Sequence, residues 1–119
     1  MDVVKNIQKM YQSGDGHVHV LAASIRRLDQ LLCCFALGAD LATVPAKVLE
    51  EWAAQAFPMP DRSFVYKAVD AAGNPLRAIP YKPLDLERSW EEFDISHELT
   101  TQGIVKFVAD YESTLKRSA

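Results

Sequence analysis

The order of elements in this sequence predicts an α/β fold, with parallel strands covered on the outside by helices. Two observations carry that reading. The first half of the chain alternates helical and strand patterns, in the order helix–strand–helix–strand–helix, with short loops between them. Such alternation produces parallel strands joined by right-handed crossovers. The second observation is the stretch His19-Val20-Leu21-Ala22-Ala23-Ser24-Ile25-Arg26-Arg27. Val18, Val20 and Leu21 are bulky and apolar, whereas Ala22 and Ala23 are small, a mixture that suits a crowded strand buried on both faces.

Taken in order, residues 2–12 read as a helix, because Val3, Ile7, Met10 and Tyr11 recur at helical spacing. Ser13-Gly14-Asp15-Gly16 is a turn cluster that stops it. A strand over 17–23 follows. Residues 25–37 read as the next helix, with Leu28, Leu31, Leu32 and Phe35 on its inner stripe and Ser24 as its N-cap. Gly38 stands where a left-handed terminal residue is wanted. Residues 41–44 form a second short strand. Pro45 suits the first position of a helix over 46–57, whose inner side carries Val48, Leu49, Trp52 and Ala56.

The second half has a different character. Phe57-Pro58-Met59-Pro60 breaks the alternation. Residues 64–69 and 76–81 read as a hairpin around the turn Ala71-Ala72-Gly73-Asn74. Residues 82–96 form an acidic link, anchored by Trp90 and Phe93. A last helix is expected over 101–116, with Ile104, Phe107, Val108, Tyr111 and Leu115 on one stripe. Thr100 is its expected cap, and Leu99 with Ile104 has hydrophobic-staple spacing. His97 reads as a loop hydrogen-bonding residue before this helix. The whole is one domain of 119 residues, with barrel-type units in 1–58 and the hairpin, link and last helix in 59–119.

A net charge of −3 and the absence of a basic stripe speak against nucleic-acid binding. No apolar run approaches the roughly 20 residues that span a bilayer. Met1-Asp2-Val3-Val4-Lys5 has no signal-peptide character. Cys33 and Cys34 are neighbours in a helix, with neither disulfide nor metal spacing, so they read as core thiols in a reducing, cytoplasmic setting. His17 and His19 share a strand face, but no third ligand stands at matching spacing, so no metal is expected. Ser24 and Arg26 remain as an anion site. They follow a strand's carboxyl end, where helical N–H groups and the helix dipole favour negative charge.

Val20-Leu21-Ala22-Ala23-Ser24-Ile25-Arg26, then an apolar helix, then Gly38-Ala39-Asp40-Leu41-Ala42-Thr43-Val44-Pro45, resembles the transaldolase and fructose-6-phosphate aldolase family. Asp94-Ile95-Ser96-His97-Glu98-Leu99-Thr100-Thr101-Gln102-Gly103-Ile104 and Lys106-Phe107-Val108-Ala109-Asp110-Tyr111 resemble its closing helix, with Tyr111 where Trp is usual. The resemblance implies a (β/α)8 barrel, a TIM-type fold that takes on the order of 250 residues. This chain then corresponds to a partial barrel: the last two βα units, a hairpin and tail, and the C-terminal helix.

The same resemblance implies a Schiff-base sugar-phosphate enzyme of carbohydrate metabolism, such as the pentose phosphate reactions. Its reaction would be aldol cleavage or dihydroxyacetone transfer, without a cofactor. It assigns Ser24 and Arg26 to the substrate phosphate. The Schiff-base lysine belongs to a central strand with no counterpart here. Lys5, Lys9, Lys47, Lys106 and Lys116 fall on expected helices, Lys67 on the hairpin and Lys82 in the link. No catalytic residue is therefore assigned, and the chain is expected to be inactive alone. Two parallel strands cannot close a barrel, so the expected partners are a sugar phosphate or free phosphate, and either a second copy or the missing N-terminal barrel part. The alternative is a non-catalytic, oligomeric phosphate-binding module.

Overall fold

A computed structural model describes residues 1–12, 16–70, 72–85 and 87–117, with side chains as far as Leu115 in the last helix. Ser13, Gly14 and Asp15 of the first expected turn, and Ala71 of the second, lie outside the described residues. The chain forms two compact units, Met1–Pro83 and Leu84–Ala119.

In the first unit the alternation is present as α1 (Asp2–Tyr11), β1 (Leu21–Ala22), α2 (Leu28–Leu37), β2 (Leu41–Ala42) and α3 (Ala46–Ala54). The strands are parallel neighbours, with Leu21 opposite Leu41 and Ala22 opposite Ala42. They are much shorter than the expected 17–23 and 41–44. A ladder needs a partner, and β2 begins too close to the α2 terminus to pair with residues 17–19. The expectation that β1 is buried on both faces is also corrected. Val20 and Ala22 are buried, but Leu21 and Leu41 are each 50% exposed. One face of the sheet packs on helices and the other is open.

The core lies between the sheet and α2 and α3. Ala22, Ile25, Leu28, Leu31, Cys34 and Val48 form it, with Met1, Val4, Leu32, Phe35 and Trp52 packed around them. The stripe expected for α2 faces this core. Its carboxyl end closes as expected on left-handed Gly38 (φ 70°, ψ 34°). Gly38 N–H donates to Phe35 O and Ala39 N–H to Cys34 O, the paired bonds that satisfy a helix's last carbonyls.

The other helices differ from expectation in detail. In α1, Val4 rather than Val3 turns toward the core. In α3, Pro45 is the N-cap rather than the first helical residue. That helix ends early because Ala56 and Phe57 take left-handed φ values of 60° and 55°. Trp52 is then held from three sides. It lies 5.3 Å from the Phe35 ring and 5.1 Å from the Phe57 ring, and its Nε1–H donates to Pro58 O at 2.8 Å. Leu49 and Ala56, expected inside, are exposed.

The hairpin is a closed turn without a ladder. Asp70 N–H donates to Asn74 O and Leu76 N–H to Ala68 O, both at 2.9 Å. The Asp70 carboxylate accepts from the Asn74 side-chain amide, the Asn74 N–H and the Ala72 N–H, which holds its carboxyl below the usual range. These two bonds flank a single antiparallel bridge between Val69 and Pro75. The second arm runs to α1 instead. Asp2 Oδ2 accepts from Ile79 N–H at 2.8 Å, Asn6 Nδ2 donates to Ile79 O at 3.1 Å, and the Lys9 ammonium lies 4.5 Å from the Tyr81 ring centre. The described residues of the hairpin join neither edge of the sheet, which holds two strands.

The second unit contains a 3-10 turn at Trp90–Glu92 and α4 (Glu98–Arg117). α4 starts before residue 101 because His97 caps it. His97 Nδ1 accepts from Leu99 N–H, and its carbonyl accepts from Thr100 and Thr101 N–H. Thr100 is therefore inside the helix, and the staple expected of Leu99 and Ile104 does not form. Ile104, Phe107, Val108, Tyr111 and Leu115 follow helical spacing, yet each is more than half exposed. Trp90 is exposed rather than an anchor. Phe93 is half-buried, with the Arg88 guanidinium 5.3 Å from its ring centre.

This core makes a graded prediction. Leu31→Ala removes a side chain that is 2% exposed, and it should cost about 2–5 kcal/mol in urea unfolding. Leu115→Ala, on the open stripe of α4, should stay within about 0.5 kcal/mol of the parent protein.

Candidate functional site

The two residues singled out as an anion site lie on the loop between β1 and α2. This loop leaves the carboxyl end of β1, where open parallel sheets and barrels place their ligands. Ile25 is buried in the core and pins the loop, while Ser24 and Arg26 on either side of it are exposed. Ser24 is not the helix cap that its type suggests. Its φ is 62°, left-handed, and the N-cap of α2 is Arg27, with extended φ −140° and ψ 154°. The burial of Ile25 explains the displacement, because the chain must dip inward before the helix can begin. A serine held left-handed costs about 1–2 kcal/mol, and such strain clusters at functional loops.

The two arginines of this loop are chemically different. Arg27 Nε and its terminal nitrogen donate to the two oxygens of Asp29 at 2.9 and 2.7 Å. That bond raises the Arg27 pKa and neutralises the pair. Arg26 N–H donates to Gln30 Oε1 at 2.8 Å, which steadies its backbone. The Arg26 guanidinium makes no hydrogen bond or ion pair among the described residues, and the Ser24 hydroxyl makes none either. Two polar groups, one on either side of Ile25, therefore keep their donors unspent. They are not hydrogen-bonded to each other.

Asp40 is the residue that sequence reasoning missed. Its Oδ2 accepts from Val20 N–H at 2.8 Å. Val20 O accepts from Leu41 N–H at 3.2 Å, and Ala22 O accepts from Thr43 N–H at 2.9 Å. The carboxylate thus adds one rung to a short ladder and fixes the strand that leads into the Ser24 loop. The available signal was an acidic residue between the Gly38 helix end and the next strand.

The remaining candidates lie elsewhere. Lys5 and Lys9 are on α1, Lys47 on α3 and Lys106 on α4, and Lys67 and Lys82 lie outside any helix or strand, so no described lysine is on a strand. The side chain of Lys116 lies outside the described residues. His17 and His19 are exposed ahead of β1. Among the described residues no three His, Cys, Asp or Glu side chains are grouped to hold a metal. Cys33 and Cys34 are buried and free, and burial pushes both thiol pKa values up. No helix among the described residues is long and apolar enough to cross a membrane.

A model of the transaldolase/fructose-6-phosphate aldolase family matches residues 1–118. A probable transaldolase of Maricaulis maris (strain MCS10) is 38% identical over 50 residues, which is 42% of this chain. The match spans 23% of that relative's length. No solved structure matches.

The Asp40 rung is testable. Asp40→Ala should lower stability by about 1–2 kcal/mol, the range for losing a hydrogen bond to a charged partner at a partly exposed site. It should also speed amide exchange at Val20 selectively. Asp40→Asn, which keeps a side-chain acceptor, should restore most of the protection.

Proposed function

The chain belongs to the transaldolase/fructose-6-phosphate aldolase family, and from that premise we propose that it is the C-terminal portion of a cytoplasmic, Schiff-base sugar-phosphate enzyme. The whole enzyme would cleave or transfer a dihydroxyacetone unit from a ketose phosphate. This portion would hold the phosphate. The reading is supported above all by the unspent donors of Ser24 and Arg26 at the carboxyl end of β1, beside an Arg27 already committed to Asp29.

Phosphate suits that loop chemically. A guanidinium fork offers two parallel N–H groups to two phosphate oxygens, and a serine hydroxyl can donate to a third. Holding the phosphate end of an extended sugar fixes the distance at which its ketone stands. That supplies part of the entropic advantage of a bound reactant. The attacking amine must come from elsewhere, since an exposed helical lysine has neither the burial nor the cationic neighbour that lowers its pKa. We place it on preceding strands of a barrel that this chain would complete. The exposed Leu21–Leu41 pair, on the sheet face away from the helices, fits a barrel interior of that kind. The same open edges fit a second copy of the chain, and this supports the alternative of an oligomeric phosphate-binding module without catalysis.

Calorimetric titration with inorganic phosphate and with fructose 6-phosphate tests the grip. Arg26→Ala should weaken binding at least about tenfold, the loss of one bidentate charged contact, and Arg26→Lys should recover part of it. Unchanged affinity in Arg26→Ala would refute the assignment. Borohydride reduction in the presence of fructose 6-phosphate should leave no covalent adduct on the chain alone. An adduct mapped to one of its own lysines would overturn the view that the amine is supplied from outside.

A further inference from the structure

A cavity of about 240 Å³ lies between α1, α2 and the first arm of the hairpin. Asp2 and Lys5 of α1, Cys33 and Leu37 of α2, and Phe64 and Tyr66 of the hairpin arm wall it. It is separate from the sheet core. Cys34 belongs to that core, whereas Cys33, only 5% exposed, owes its burial to these other neighbours. It is also separate from the loop that carries Ser24 and Arg26, no residue of which lines it.

Size and charge together limit what fits. The volume exceeds that of an engineered apolar cavity of about 150 Å³ that takes up benzene. It falls below the roughly 300 Å³ at which pockets for drug-sized ligands begin. One ring with a small substituent is the matching scale. Two aromatic side chains and a leucine supply the surface against which a ring packs. The charged groups decide the substituent. The Asp2 carboxylate accepts from Ile79 N–H at 2.8 Å, and its charge is opposed at this wall by the Met1 α-ammonium, which acts on Cys33 more strongly than Asp2 does. The Lys5 ammonium makes no hydrogen bond or ion pair among the described residues. The Cys33 thiol, its pKa pushed up by burial, stays neutral and does not repel an anion.

We propose that this cavity binds a small monocyclic carboxylate, with the ring between Leu37, Phe64 and Tyr66 and the carboxylate on Lys5 Nζ. The hairpin thereby gains a role that the phosphate loop does not give it. Its first arm forms a wall of the site, and its second arm, tied to α1 through Ile79, holds that wall in place. This proposal stands independently of the phosphate assignment.

The test is amide-resolved NMR of the full chain titrated with benzoate. Saturable shifts should appear at Lys5, Cys33, Leu37, Phe64 and Tyr66. Inorganic phosphate should not reverse them, since it would occupy the other loop. The neutral isostere benzamide should bind about tenfold more weakly, as should benzoate to Lys5→Gln, because each removes the charge pair. Ala36→Trp, at the cavity wall, should fill the space and abolish the shifts while the core resonances of Leu31 and Val48 stay in place. Three results would overturn the proposal: no saturable shift at the solubility limit of benzoate, shifts centred on Arg26 or α4 instead, or equal binding of benzoate and benzamide. Lys5→Gln, an exposed substitution, keeps the test decisive if Ala36→Trp does not fold.

Discussion

The parallel register of β1 and β2 is the constraint on which the first unit depends. Only two strand residues on each side are paired, so the alignment rests on few bonds, among them Val20 with Leu41, Ala22 with Thr43, and the Asp40 carboxylate on Val20 N–H. Because the side-chain period of a strand is two, slipping by one residue would turn Ala22 out of the core and drive Leu21 into it. The same alignment puts the loop after β1 and the loop after β2 at one end of the sheet. Core, helix placement and candidate ligand loop all follow from one short ladder, to which an acidic side chain contributes a rung.

The sequence disclosed the element order well because that information is local. The α2 stripe, the Gly38 stop and the adjacency of two parallel strands could all be read from residue spacing. It was less informative wherever a partner decides the outcome. The length of β1 depends on how much of β2 is available to pair. Val18 and Leu21 look like core residues, but about half of each is exposed. The same holds for α4, whose apolar spacing is real while its stripe is open. Ser24 shows a different limit. Its side chain is a good cap by type, yet the buried Ile25 controls where the helix begins and displaces the capping role to Arg27.

At the proposed ligand loop the sequence named the polar residues but not how their neighbour is paired. Ser24 and Arg26 were evident from the motif. That Arg27 is neutralised by Asp29 was not, although the Arg-x-Asp spacing was visible in the sequence. This pairing is what separates two adjacent arginines into a structural one and an available one. The hairpin was legible as a turn, through Asp70, Gly73 and Asn74, and illegible as a strap, because its second arm binds a helix seventy-odd positions away in sequence.

That strap has a consequence for variation along the chain. α1 grips residue 79 through its main-chain N–H and C=O, while the isoleucine side chain is exposed. Recognition of this kind is blind to side-chain identity. Position 79 is therefore free to drift among nearly all residue types, proline excepted for want of the N–H. At this position the informational burden falls on Asp2 and Asn6, which read the backbone, and related chains can keep the fastening there without keeping the isoleucine.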